Sequence, residues 1–321
     1  MKQQFTIQAV TDCTIEYEGT IEYSIDNGHT WKRLKKLSIQ SAHEAQFRNA
    51  KSNGNDSFII EGYFNIYGHI STLAPYGTKA FKWLFYHTNV VNASKLILDY
   101  DELWPNAYYG MFEGCTSLAK APELPATTLA DFCYYQMFYK CTSLTTAPEL
   151  PATILNTSCY SNMFYGCNGL TSTTELPAMT LAINCYQDMF YACTSLATAP
   201  ELPATKLAQG CYSYMFEDCT NLTIAHELPA TELAQYCYAS MFKGCTSLAS
   251  APELPATKLK EGCYEYMFQG CKSLTTAPEL PATKLERGCY EHMFQDCENI
   301  EELQLIPKQV LINAIRMSIL S

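Results

Sequence analysis

Apolar residues recur through most of this chain in a 26-residue unit. Each unit carries a row of apolar residues spaced by four and, beside it, a pair of aromatic residues. In the clearest unit these residues are Leu129, Cys133, Met137, Cys141, Tyr134 and Phe138. The spacing predicts an amphipathic helix of about three turns. Residues 144–151 follow, and their prolines limit any strand there to a few residues.

Units of this length cannot bury their own apolar face, so neighbouring units must stack and share one core. Helices are about 10 Å wide and parallel strands lie ~4.8 Å apart, so the stack should curve with its strands inside. The sequence therefore predicts an α/β fold: a curved solenoid over residues 107–300, with short parallel strands and outer helices. Residues 76–106 and 301–321 keep the apolar register but lose the signature residues, and we expect them to cap the array.

Residues 1–75 show a different pattern, in which alternating apolar runs are separated by Asn, Asp and Gly clusters. This pattern predicts a small all-β N-terminal domain over residues 1–75. Residues 24–31, Ser-Ile-Asp-Asn-Gly-His-Thr-Trp, resemble the Asp-box found on β-hairpins of sialidases and other carbohydrate-linked proteins. In those proteins the motif stabilises a hairpin, so we expect the same role here and no glycosidase activity.

The repeated motifs M-F-x-x-C-T-S-L and A-P-E-L-P-A-T resemble those of the BspA-like family of bacterial leucine-rich repeats. The resemblance is close over residues 107–300 and looser over the caps. It implies a leucine-rich-repeat solenoid of the kind used in surface or cell-contact proteins of gut bacteria and protozoa, and in products of their phages and mobile elements. Because the family pattern is structural throughout, it implies no catalytic residue and no enzyme.

Charge and hydropathy restrict the classes of partner. The chain has 21 basic and 32 acidic residues, a net charge of −11, which disfavours nucleic acid and an anionic membrane surface. The chain has no run of about 18 apolar residues, so we expect no membrane span. The polar start of the chain does not resemble a signal peptide. We therefore expect a virion-associated or cytoplasmic protein, or one that reaches the cell surface by another route.

The sixteen cysteines are predicted to be free, buried thiols. Cys133 and Cys141 lie eight residues apart on the predicted helix, ~12 Å, which is too far for a disulfide. No C-x-x-C spacing or recurring histidine suggests zinc. We expect no metal and no other cofactor.

Two sets of residues are candidates for binding. Tyr139, Tyr165 and Tyr191 share one register and should be largely exposed, where they could contact a sugar or a protein, or simply pack on each other. The acidic strip, a glutamate in each unit, is expected to bond backbone N–H groups, or alternatively to bind a cation or ligand. It consists of Glu123, Glu149, Glu175, Glu201, Glu227, Glu253 and Glu279.

These features favour a non-enzymatic recognition or adhesion protein, of the surface or phage-virion receptor-binding type, that binds a glycan or a protein. The alternative is an intracellular scaffold for protein–protein interaction, which the free thiols favour. The identity of the neighbouring genes would separate the two.

Overall fold

The computed structural model describes residues 2–51, 56–73, 81–100 and 102–300. Within them, nine strands and one 3-10 helix (Ile70–Leu73) are regular elements. The strands are β1 (Phe5–Ala9), β2 (Cys13–Tyr17), β3 (Thr20–Ser24), β4 (Lys32–Arg33), β5 (Leu37–Ile39), β6 (Glu44–Lys51), β7 (Phe58–Glu61), β8 (Phe64–His69) and β9 (Val90–Ile97). Residues 301–321, where the sequence predicts the C-terminal cap, lie outside the described residues.

Strands β1–β8 form the N-terminal part of the fold. One sheet has the order β4-β3-β6-β1-β8-β9 and the other has the order β5-β2-β7. Alternate residues of β2, β7 and β8 are buried, as expected for strands that cover a core with one face. Phe5, Phe47 and Phe58 meet in that core with ring centroids 5.4–6.3 Å apart.

The Asp-box closes the β3–β4 hairpin. Ser24 donates to the Asp26 carboxylate (2.7 Å), and the backbone N–H of Thr30 donates to the same carboxylate (2.8 Å). The Thr30 hydroxyl also donates to this carboxylate and has the largest effect; together these hydrogen bonds favour the charged form and lower the pKa of Asp26 well below its usual range. The hydrogen bonds formed by the Asp26 side chain stay within residues 24–30, which fits the predicted hairpin-stabilising role.

The β domain joins the repeat array without a break in the hydrogen bonding. Strand β8 pairs in parallel with β9, which in turn pairs with the first full unit through Asn92 and Lys120. Phe85, which precedes β9, stacks on Phe58 with ring centroids 5.5 Å apart. The β domain thus covers the apolar face of the first coil, where a coil is the structure formed by one 26-residue unit.

Successive coils are linked by two ladders of isolated parallel bridges rather than by strands. One ladder follows the Leu-x-x segment and the other follows the Pro-Ala-Thr-x segment. The bridges are Asn92–Lys120, Thr146–Ser172, Thr198–Ile224 and Ser250–Thr276 in the first, and Thr128–Ile154, Thr180–Lys206 and Glu232–Lys258 in the second. The prolines between the ladders cannot donate to a neighbour, so pairing ends after one or two residues.

The prediction of outer helices is wrong. Residues 130–141 and their equivalents form a chain of consecutive turns in which hydrogen bonds alternate along the backbone. The N–H groups of residues 133, 135, 137, 139 and 141 donate to the carbonyl three residues earlier, whereas those of residues 132, 134, 136, 138 and 140 donate to the next coil at 2.7–3.1 Å. Every fourth residue is left-handed: Phe132, Gln136 and Lys140 have φ of 56–57°.

A period of four, rather than 3.6, explains the difference. In an α-helix, residues four apart drift by about 40° per step, so Leu129 and Cys141 would end on different faces. The chain of turns keeps them in line and frees half of the N–H groups for the next coil. The sequence contains an indication of this winding. Gly and Asn, which tolerate positive φ, recur at the left-handed positions, as at Asn162 and Gly166.

Aromatic ladders run through the core of the array. One is a stack of phenylalanines from Phe85 to Phe294, and the other is a stack of tyrosines from Tyr108 to Tyr290, with centroids 5.5–5.8 Å apart. Five of the buried tyrosine hydroxyls have no hydrogen-bond partner within the described residues; they belong to Tyr108, Tyr160, Tyr186, Tyr238 and Tyr290.

The predicted state of the cysteines is confirmed. All sixteen are unpaired and fifteen are buried. The second cysteine of each unit donates its thiol to a phenylalanine carbonyl of the preceding unit, as from Cys141 to Phe112 (3.1 Å) and from Cys167 to Phe138 (3.0 Å). Cysteine is small enough to pack at this position, and its thiol also donates a hydrogen bond to the second lone pair of that carbonyl.

Candidate binding surface

Tyr139, Tyr165 and Tyr191, called the tyrosine row, lie side by side on the turn face, the surface formed by the chains of turns. The Tyr139 and Tyr165 ring centroids are 4.8 Å apart with planes at 19°, and those of Tyr165 and Tyr191 are 4.4 Å apart with planes at 3°. All three are half-buried rather than largely exposed. The register brings them together as predicted, but each ring covers part of its neighbour.

This stacking limits what the row can bind. Both faces of Tyr165 are covered by the adjacent tyrosines, so only ring edges and hydroxyls reach solvent there. A sugar that stacks on aromatic residues needs an open ring face, whereas a protein partner can pack against edges and accept hydrogen bonds from tyrosine hydroxyls. The geometry therefore favours a protein contact over a stacked sugar.

A second aromatic row lies four residues before the register of the tyrosine row, in the coils of Tyr109 and Tyr135, and was not identified from the sequence. The Tyr109 and Tyr135 centroids are 4.7 Å apart, and Trp83 meets Tyr109 edge to face at 5.6 Å. The Lys82 ammonium lies 4.0 Å from the Tyr109 centroid. Tyr109 and Tyr135 occupy the same position in successive units, so alignment of these two units would have revealed the pair. Trp83 lies one position later in the preceding coil, where its backbone is left-handed like that of Gly110 and Gln136.

Exposed aliphatic side chains also occur in the coils that carry the tyrosine row. Ile154, Met179 and Ile183, called the apolar flank, are 58%, 52% and 47% exposed. They come from two adjacent coils. Ile183 lies one position before the register of Phe132, which is 36% exposed and contacts Tyr135 at 5.9 Å, whereas Ile154 lies in the second bridge ladder and Met179 precedes that ladder by one residue. Clusters of exposed apolar residues commonly mark interaction surfaces.

The later coils have a different surface. Within residues 107–216 the structure contains no ion pair, whereas ion pairs join neighbouring coils from Glu217 onward. Lys243 pairs with Glu217 (3.0 Å), Lys258 with Glu232, Arg287 with Glu261 (3.5 Å) and Lys272 with Glu298 (3.1 Å). Within the described part of the array, ion pairs therefore lie in the second half, whereas the tyrosine row lies in the first half.

Three carboxylates lie at the C-terminal end of the tyrosine row. They belong to Asp188, Glu217 and Asp218, and we call them the acidic junction. The Tyr191 hydroxyl donates to Asp218 Oδ2 at 3.2 Å. Glu217 is 6% exposed, and burial raises the pKa of its carboxyl despite the Lys243 ammonium. Burial, aided by the Glu217 charge and opposed by a hydrogen bond from Gln187, raises the pKa of Asp188 to about 7.

The acidic strip lies on another face of the array, between the two bridge ladders. All seven glutamates are exposed, and within the described residues none accepts the backbone hydrogen bond that we expected. Lys258 and Lys284, five residues after strip glutamates, pair instead with Glu232 and Glu286. A shallow groove along the strip is lined by Glu201, Leu202, Pro203, His226, Glu227 and Pro229.

Two further observations concern the described part of the chain. It contains no group of three or more His, Cys, Asp or Glu side chains arranged to hold a metal ion. None of its helices has the length and hydropathy needed to cross a membrane.

Comparison with family models agrees with the repeat pattern. A family model described as a BspA type leucine rich repeat region (6 copies) matches residues 105–249 and 209–317. Among solved structures, the chain is similar to a leucine-rich repeat protein from Bacteroides ovatus ATCC 8483, with 19% sequence identity and a TM-score of 0.31. That match covers 66% of this chain and 57% of the other. A search of curated proteins found no match.

Proposed function

Because the chain belongs to the BspA-type leucine-rich repeat family, we propose that it is a non-enzymatic recognition protein that binds another protein through the first half of its turn face. The family supports a protein-binding repeat protein. The finer proposal is that the contact surface consists of the tyrosine row, the second aromatic row and the apolar flank. We further propose that the protein is of the surface or phage-virion receptor-binding type, and that its partner lies on a bacterial cell.

The observation that carries this proposal is the asymmetry of the turn face. The same register is tyrosine at positions 139, 165 and 191, but Glu217, Lys243, Gln269 and Gln295 in later units. Positions free of core constraints usually carry charged or polar residues, as the later coils do. Half-buried tyrosines in coils that also expose Ile154 and Met179 instead provide the apolar surface and polar tips typical of protein interfaces.

The test is attachment of purified protein to bacterial cells, before and after the cells are treated with protease or with periodate. Tyr139→Ser, Tyr165→Ser and Tyr191→Ser together should weaken attachment, since interface aromatics can each contribute ~2 kcal/mol or more. The matched control combines Gln269→Ser and Gln295→Ser, which occupy the same register in later coils. It should attach normally.

Protease should abolish wild-type attachment and periodate should not, because we propose a protein partner. The reverse result would show a glycan. Replacing the three tyrosines with phenylalanine keeps the stack and removes only the hydroxyls, and so separates binding from folding. If the folded serine and phenylalanine variants both attach like wild type, the tyrosine row is packing material and attention moves to the acidic strip around Glu149 and Glu201.

The second candidate remains an intracellular scaffold, favoured by the sixteen unpaired cysteines, since proteins of reducing compartments keep their thiols free. It predicts no attachment to cells. It also predicts that proteins captured from the source organism on the wild-type chain are lost when the serine variant is used.

A further inference from the structure

We propose that the acidic junction receives an arginine side chain of the partner protein. This inference rests on the function proposed above and adds the chemistry of one contact. The junction lies at the end of the tyrosine row, where the aromatic half of the turn face meets the charged half.

The junction is held in place by three coils. Asp218 Oδ2 accepts a hydrogen bond from the Tyr191 hydroxyl of the preceding coil. Its Oδ1 occupies the space that a Cβ on Gly244, in the following coil, would need. The backbone N–H of Asp218 donates to the Lys243 carbonyl at 2.8 Å. Both the position and the orientation of this carboxylate are therefore fixed before any ligand arrives.

Glu217 supplies an independent reason to expect a ligand. Its Oε1 lies 3.0 Å from the Lys243 ammonium, but its buried Oε2 accepts no hydrogen bond from the described residues. A buried carboxylate oxygen without a donor is unfavourable, so most such oxygens in proteins are paired. The Lys243 side chain is 37% exposed against 8% for Glu217. Lys243 is therefore the more exposed partner of the pair, and in our proposal the arginine replaces its ammonium.

Charge complementarity identifies the ligand as a cation. Within the described residues, the one ion pair that these three carboxylates form joins Glu217 to Lys243, so the junction can accommodate a further positive charge. A metal ion is not favoured, because the described residues provide no cluster suited to one. A planar guanidinium has five N–H donors and packs well on aromatic rings, and the Tyr214 ring beside the junction is 38% exposed. Arg48 over Trp31, at 4.0 Å, is an example of that contact within this chain.

The experiment compares two blocked pentapeptides, Gly-Gly-Arg-Gly-Gly and its analogue with citrulline, which has nearly the same shape but no charge. Binding to the full chain is followed by NMR of labelled tyrosine rings. The arginine peptide should shift the Tyr191 and Tyr214 signals and bind about tenfold more tightly than the citrulline peptide, as expected for hydrogen bonds to a charged group. Equal binding of the two peptides would overturn the proposal, and this comparison requires no variant.

Variants then locate the site. Glu217→Gln with Asp218→Asn should reduce binding of the arginine peptide by about tenfold. The matched pair Glu261→Gln with Glu265→Gln, on the same face two coils later, should leave it unchanged. Equal losses in both pairs would show only a general attraction to negative charge and would reject the site. A lysine peptide that binds as tightly as the arginine peptide would reject the assignment to a guanidinium.

The two proposals can fail separately. If the arginine peptide does not bind but the serine variant of the tyrosine row still loses cell attachment, only the arginine contact is wrong. If the peptide binds as expected while cell attachment is unaffected by that variant, the junction binds arginine but the proposed function is wrong.

Discussion

Replacing Asp188 with asparagine should stabilise the protein more at pH 8 than at pH 5. Asp188 carries a carboxyl whose pKa is raised from 3.8 to about 7, mainly by burial. The folded state therefore binds this proton more tightly than the unfolded state. Its contribution to stability is present below pH 4 and is lost as the pH rises through 7. The raised pKa of Glu217 acts in the same direction.

The magnitude follows from the size of the shift. One pKa unit corresponds to 1.36 kcal/mol, so a shift of about three units gives an upper limit of about 4 kcal/mol. Because Asp188 is partly exposed, solvent screening reduces this, and we expect about 2 kcal/mol. Asparagine removes the charge at constant shape and also suits the left-handed backbone at this position, where φ is 54°.

The assay is thermal unfolding of both proteins between pH 5 and pH 8. The asparagine variant should melt about 3 °C above wild type at pH 8, and the difference should shrink toward pH 5. Hydrogen exchange of the coils over residues 183–218 should show where protection increases, since coils can open locally. Asp296→Asn is the control, because Asp296 is also left-handed (φ 60°) but exposed. If both variants shift stability equally at every pH, the gain comes from the backbone and the electrostatic reasoning is refuted.

Three further predictions concern the array. Lys140→Gly should raise stability by about 0.5–1 kcal/mol in thermal unfolding, because Lys140 is left-handed where four other units have glycine, while Lys140→Ala should give no gain. Thiol titration should label almost all cysteines in denaturant and few in the native protein, because burial raises the pKa of thiols such as Cys141; missing thiols in denaturant without reductant would contradict this. Deletion of residues 211–236 should leave a folded, shorter array, whereas removal of residues 301–321 should cause aggregation in light scattering, and the opposite outcome would reject the repeat and cap assignments.

The sequence by itself determined the period, the stacking and the core. A 26-residue unit must share its apolar face with its neighbours, and the residues at the Cys, Tyr, Met and Phe positions could only point inward. The absence of disulfides also followed from spacing. The start of the array was visible in the same register, since Phe85 continues the phenylalanine ladder, although its partner Phe58 lies in a domain with no repeats.

Only the tertiary structure decided how each unit is wound. An α-helix satisfies its hydrogen bonds within one segment, whereas the chain of turns needs the carbonyls of the next coil, as from Phe138 to Met163. The register placed the tyrosine row, but only the stacked geometry showed that both faces of Tyr165 are covered. Asp188 and Glu217 belong to different units and become neighbours through stacking. Contacts between coils depend on distances that no single unit encodes, which is why the turn face and its acidic junction emerged from the assembled array.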